Sequence, residues 1–122
     1  MPVLIVENSK DLSLSWAGHL AQFDLPIILV PELAAAFEVI GRCRVTLLVL
    51  DVAWDFATAL ALADYTAVRQ PWAPVIFITP GIPWADGDLL IHARNACAIL
   101  GRDTPPEDLA AMVARHAATE PT

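Results

Sequence analysis

Four apolar runs in this chain stop at residues whose side chains could do chemistry. Val3-Leu4-Ile5-Val6 ends in Glu7-Asn8, and Val45-Thr46-Leu47-Leu48-Val49-Leu50 ends in Asp51. Val75-Ile76-Phe77-Ile78 ends in Thr79, and Cys97-Ala98-Ile99-Leu100 leads into Gly101-Arg102. The groups are complementary: acids that hold a cation, a guanidinium that holds an anion, an amide and a hydroxyl that hydrogen-bond either. Residues this far apart form one site only if the runs are parallel strands that end at one rim. Ligands of open α/β sheets bind there, beyond the carboxyl ends of the strands and at a switch in strand order. Asp51 could merely terminate a strand, but three other strands ending in usable groups favour a functional position.

The elements that must position these groups alternate strand and helix five times. The first strand is Val3 to Val6. Asn8 or Ser9 caps a helix running to about Phe23, with Leu12, Trp16, Leu20 and Phe23 on one face. Pro26 opens a second strand through Val30, and Pro31 suits the first position of a helix. Leu33, Phe37 and Ile40 repeat at helical spacing, and Gly41 marks that helix's end. After Asp51, Asp55 caps a helix whose apolar stripe is Ala57, Leu60, Ala61, Tyr65 and Val68. Pro71 and Pro74 bound the turn before the fourth strand. Pro80-Gly81-Ile82-Pro83 reads as a loop, followed by a helix to about Asn95 that Gly87 weakens. Thr104 caps a last helix at Pro105, on which Leu109, Met112, Val113 and His116 share a face. Residues 117–122 read as a frayed tail. Near-continuous apolar strands alternating with helices predict a parallel sheet covered on both faces, and right-handed crossovers make it doubly wound.

Bulk properties limit the function classes. The 122 residues fit a single domain, 1–122, and an apolar fraction of 57% predicts a compact fold. Mean hydropathy is +0.55, yet the longest apolar stretch, Thr46 to Ala63, is interrupted by Asp51 and Asp55 and does not read as a membrane span. With no basic leader before the first apolar run, a cytoplasmic location is expected. Seven Lys and Arg against fourteen Asp and Glu give a formal charge of −7, which argues against nucleic acid as a partner. Cys43 and Cys97 have no metal-ligand spacing and read as reduced; Cys43, between Arg42 and Arg44, is the one placed for reactivity. His19, His92 and His116 share no spacing and read as solvated or packing residues.

The ordered set resembles the response-regulator receiver domain over nearly the whole chain. The resemblance rests on Val3 to Asn8 where that family has its acidic pair and on Val45 to Asp51 where it has the phosphoacceptor strand. It also rests on Ile78-Thr79 at the switch hydroxyl, Ala96 to Asp103 at the conserved-lysine segment, and Pro106-Glu107-Asp108-Leu109 at the opening of the last helix. It implies the (βα)5 flavodoxin-like receiver fold with a five-stranded parallel sheet. It further implies a stand-alone receiver in a two-component phosphorelay, accepting phosphate on Asp51 from a histidine kinase or phosphotransfer protein and signalling by protein contacts. Such a module is no enzyme beyond self-phosphorylation and dephosphorylation on Asp51. By the same resemblance Glu7, Asn8, Asp51 and the backbone carbonyl of Ala53 would hold Mg²⁺, Thr79 would be the switch hydroxyl, and Arg102 the cation in place of lysine. A homodimer through the last two helices and the fifth strand, Trp84 to Arg94 and Thr104 to Arg115, is compatible with it.

The departures motivate an alternative of nearly equal weight, a phosphorylation-independent pseudo-receiver that acts as a protein-interaction module. Asn8 replaces an acid, which weakens metal binding. Arg102 replaces lysine and can pair with Asp51 directly. Asp103 replaces proline, Ile99 stands where an aromatic switch residue is common, and Trp54 follows the acceptor where Met-Pro is usual. A small nucleotide- or flavin-binding protein is a third class, but Glu7-Asn8-Ser9-Lys10 lacks the glycines that let backbone amides approach phosphate. No G-x-S-x-G turn supports a hydrolase.

Overall fold

The computed structural model describes residues 1–53, 55–80 and 94–117. Five strands form one parallel sheet: β1 (Val3–Val6), β2 (Ile27–Val30), β3 (Leu47–Asp51), β4 (Val75–Thr79) and β5 (Ala96–Gly101), in the spatial order β2-β1-β3-β4-β5. That is the flavodoxin-like order expected from the sequence. The order reverses between β1 and β3, which places the switch point between Glu7 and Asp51.

Alternate strand residues feed two cores, because successive side chains point to opposite faces. Leu4, Val6, Leu48, Leu50, Val75 and Phe77 are buried with Leu33, Ala36 and Ile40 of α2 (Leu33–Arg42) and Ala59, Leu62 and Ala63 of α3 (Phe56–Arg69). Val3, Ile5, Leu47, Val49, Ile76 and Ile78 are buried on the other face. They meet Trp16 and Leu20 of α1 (Lys10–Leu20) and Leu109, Ala110 and Val113 of α4 (Pro106–His116). Burial on both faces explains why β1, β3 and β4 are unbroken apolar runs rather than alternating ones.

Several local expectations shift. Ser9 caps α1, its hydroxyl accepting the Leu12 N–H at 3.4 Å. The helix ends at Leu20; a 3₁₀ turn, Ala21–Phe23, follows, and Asp24 turns the chain with φ of 56°. Phe23 is therefore exposed instead of sharing the apolar face. Glu32, not Pro31, precedes α2, which runs on to Arg42 past Gly41. Asp55 caps α3 as expected, accepting from the Thr58 N–H at 3.1 Å. Its buried stripe is Ala59, Leu62, Ala63 and Thr66, while Val68 is exposed. Small residues all round α3 left the stripe's phase weakly marked. Pro105, with no side-chain cap bond, is the N-cap of α4 in place of Thr104. Trp54, residues 81–83 of the expected loop, the following helix as far as residue 93, including Trp84, and residues 118–122 of the tail lie outside the described residues, while Arg94 and Asn95, at that helix's expected end, form a turn. No helix among the described residues is long and apolar enough to cross a membrane.

Candidate functional site

Each candidate group reaches the carboxyl rim of the sheet because its strand carries it there. The Glu7 N–H donates to the Val30 carbonyl at 3.2 Å, which extends the β1–β2 ladder to the first acid. Asp51 is the last residue of β3, and the next N–H, of Val52, donates to the Ile78 carbonyl at 3.0 Å. The Arg102 N–H donates to the Thr79 carbonyl at 3.0 Å, bringing the end of β5 against the end of β4. A turn then closes from the Thr104 N–H to the Gly101 carbonyl at 3.0 Å. A Cβ on Gly101 would stand 2.7 Å from Asp103 Oδ1, the end of a side chain that can turn away.

Glu7, Asp51 and Arg102 converge as one ion triad. Both carboxylate side chains have no solvent exposure, whereas the Arg102 side chain is 38% exposed. Arg102 Nε and Nη2 both engage Asp51 Oδ2, at 2.8 and 2.6 Å, and Nη2 reaches Glu7 Oε1 at 3.5 Å. The Ala53 N–H donates to Asp51 Oδ1 at 2.8 Å, and the Ser9 N–H to Glu7 Oε1 at 3.0 Å. Both Asp51 oxygens thus already accept hydrogen bonds. Thr79 is buried at the neighbouring strand end, contributing its carbonyl to Arg102.

One oxygen of the triad, Glu7 Oε2, is buried with no hydrogen-bond partner. Burial first, and then a hydrogen bond to Asp51, push Glu7 from the ordinary 4.5 up to about 7. Two adjacent buried carboxylates do not both ionise freely. Burial by itself would lower Arg102, but the hydrogen bond and charge of Asp51, with the charge of Glu7, raise it. Below about pH 7 Glu7 is increasingly protonated, which lowers the negative charge facing Arg102.

Mg²⁺ fits this donor set poorly. It prefers charged oxygen ligands in a tight octahedron. Here Glu7 is part-protonated, both Asp51 oxygens accept N–H groups, and a guanidinium already sits between the acids. Asn8 is exposed and lines a groove beside Glu7, with Lys10, Leu14, Leu29 and Pro31. Among the described residues no three His, Cys, Asp or Glu side chains are grouped to hold a metal. The backbone groups of Ser9 and Ala53 that bind the acids as donors had no signal in the sequence, because every residue type but proline supplies an N–H.

No family model matches the chain, and no curated protein matches it. Solved structures do. A response regulator from Thermotoga maritima superposes with a TM-score of 0.78 at 20% identity, over 94% of this chain and 96% of that one. A CheY-like response regulator receiver domain protein from Methanospirillum hungatei gives 0.80 at 16% identity, over 93% and 90%. A response regulator protein from Burkholderia pseudomallei, solved with a phosphorylated aspartic acid and a calcium ion, gives 0.76 at 14% identity, over 93% and 68%. The fold of this chain is the receiver fold.

Proposed function

We propose that this chain is a receiver-type signalling module that works through protein contacts, with its acceptor pocket closed by Arg102 and its binding independent of phosphorylation. The observation that carries this reading is the doubly engaged Asp51 Oδ2, on a side chain with no solvent exposure. Phosphoryl transfer to a carboxylate depends on positioning and on neutralising the transferred group. Here the nucleophilic oxygens are committed to N–H donors, and the local positive charge is already neutralised by the acids.

A second reading has its own support: Asp51, Thr79 and Arg102 meet at adjacent strand ends, as phosphate acceptance on Asp51 requires. In it an Asp51 oxygen attacks phosphorus of a phosphohistidine on a histidine kinase or phosphotransfer protein, and the new P–O bond forms as the P–N bond breaks and the donor's imidazole leaves. Arg102 moves from Asp51 Oδ2 onto a phosphoryl oxygen, and the Thr79 hydroxyl hydrogen-bonds the new phosphate. Glu7, Asn8 and the Ala53 carbonyl would be the remaining candidates for Mg²⁺.

Incubation with acetyl phosphate and Mg²⁺, followed by intact mass, separates the two. The closed-pocket reading expects no adduct on the wild-type chain. A phosphoryl adduct that disappears in Asp51→Asn overturns it and establishes the second reading.

A further inference from the structure

At the opposite rim of the sheet lies a second concavity, of about 540 Å³, lined by Ile40 to Arg44 at the end of α2, by Val68 and Arg69 at the end of α3, and by Gln70 and Trp72 after it. It lies roughly 20 Å from the Asp51 end, the length of strand from Val45 to Asp51. Three of the chain's seven cationic residues, Arg42, Arg44 and Arg69, surround it, and no acid among the described residues lines it. All three arginines are exposed, and none makes an ion pair with a described residue.

Two helices end here, and free carbonyls at helix ends repel anions. At the end of α2 side chains already engage several of those carbonyls. Gln70 Nε2 donates to the Ile40 and Cys43 carbonyls at 2.9 and 2.6 Å, and Arg69 Nη2 donates to Gly41 at 2.9 Å. Gln70 Oε1 accepts the Val45 N–H at 2.8 Å, so the floor is a fixed network. The Arg44 guanidinium sits over the Trp72 ring, 5.7 Å from its centroid, while the indole N–H donates to the Val45 carbonyl at 2.9 Å. Stacking holds a guanidinium by its face and leaves its N–H edge free to bind an anion.

We propose that this concavity is a binding site for an oligophosphate, either inorganic or the phosphate tail of a nucleotide. Planar guanidinium forks match phosphate oxygens two at a time. The volume falls within the usual range for small-molecule sites. A single negative charge would gain little against a chain whose net charge is −7, whereas a dense local charge can engage several guanidinia together.

Calorimetric titration of the full chain at low salt tests this, with inorganic tripolyphosphate, a nucleoside triphosphate and a nucleoside monophosphate. Saturable binding of triphosphate is expected, weakened roughly tenfold or more in Arg42→Gln/Arg44→Gln and changed less than about twofold in the charge-matched Arg94→Gln/Arg115→Gln. Wild-type affinity should also fall as salt rises from about 50 to 200 mM. Equal binding of the two triphosphates assigns recognition to the phosphates alone, and tighter nucleoside triphosphate assigns the ligand to the nucleotides; either supports the site. No binding at about 1 mM ligand, equal weakening in the two double variants, salt-independent affinity, or a monophosphate bound as tightly as the triphosphates overturns it.

Discussion

Arg102 is the residue on which the chemistry of the carboxyl rim turns. It holds two buried acids through one guanidinium, and breaking a buried pair leaves uncompensated charge. Arg102→Ala is expected to destabilise the fold by about 2 kcal/mol, less than a fully buried pair because its side chain is 38% exposed. Chemical denaturation at pH 8 checks this. Glu7 makes the site pH-dependent. Its folded value, about 7, lies above the ordinary 4.5, so the folded chain holds its proton more tightly than the unfolded one. The associated stability is fully present below pH 4.5 and is lost as pH rises through about 7, a change of about 3 kcal/mol. In Glu7→Gln that decline should flatten, leaving the variant more stable than wild type at pH 8. Unfolding curves collected between pH 5 and 8 test it; an unchanged slope in the variant would show that Glu7 is not the titrating group.

At the scale of elements, Gln70 does more than its position after a helix suggests. It is buried, and its amide ties the end of α2 to the lead-in of β3 through three backbone groups. Gln70→Ala leaves two carbonyls and one N–H without that partner, with an expected loss of about 3 kcal/mol in urea unfolding. Gln70→Glu should also destabilise, because a carboxylate can accept from Val45 but cannot donate to Ile40 and Cys43. Element identity was readable beforehand from period and punctuation: apolar runs for strands, Asp55 for the start of α3, Gly and Pro for breaks. Phase was less readable. Phe23 left its helix face because the chain tightened into a 3₁₀ turn, and the α3 stripe moved because alanine marks neither core nor solvent.

For the whole molecule, a charge of −7 at pI 4.6 means general self-repulsion, which exposed groups share and salt screens. The thermal midpoint should rise between about 10 and 200 mM NaCl, since the buried triad is screened far less than the surface. A midpoint that falls over that range would mean that attractive pairs dominate instead. Four of the chain's seven cationic residues divide between two rims: Arg102 at the carboxyl ends of the strands, Arg42, Arg44 and Arg69 at the other. The amino-acid sequence by itself determined the strands, the parallel doubly wound sheet and the acids and cation that would face one another, because apolar runs and their polar ends are local properties of the chain. Only the tertiary structure decided that Arg102 closes on Asp51, that Asn8 is exposed beside the buried Glu7, and that three arginines from two helix ends share one hollow. Those outcomes depend on side-chain direction and on which loops meet, and neither is encoded in the spacing of residues along one strand or helix.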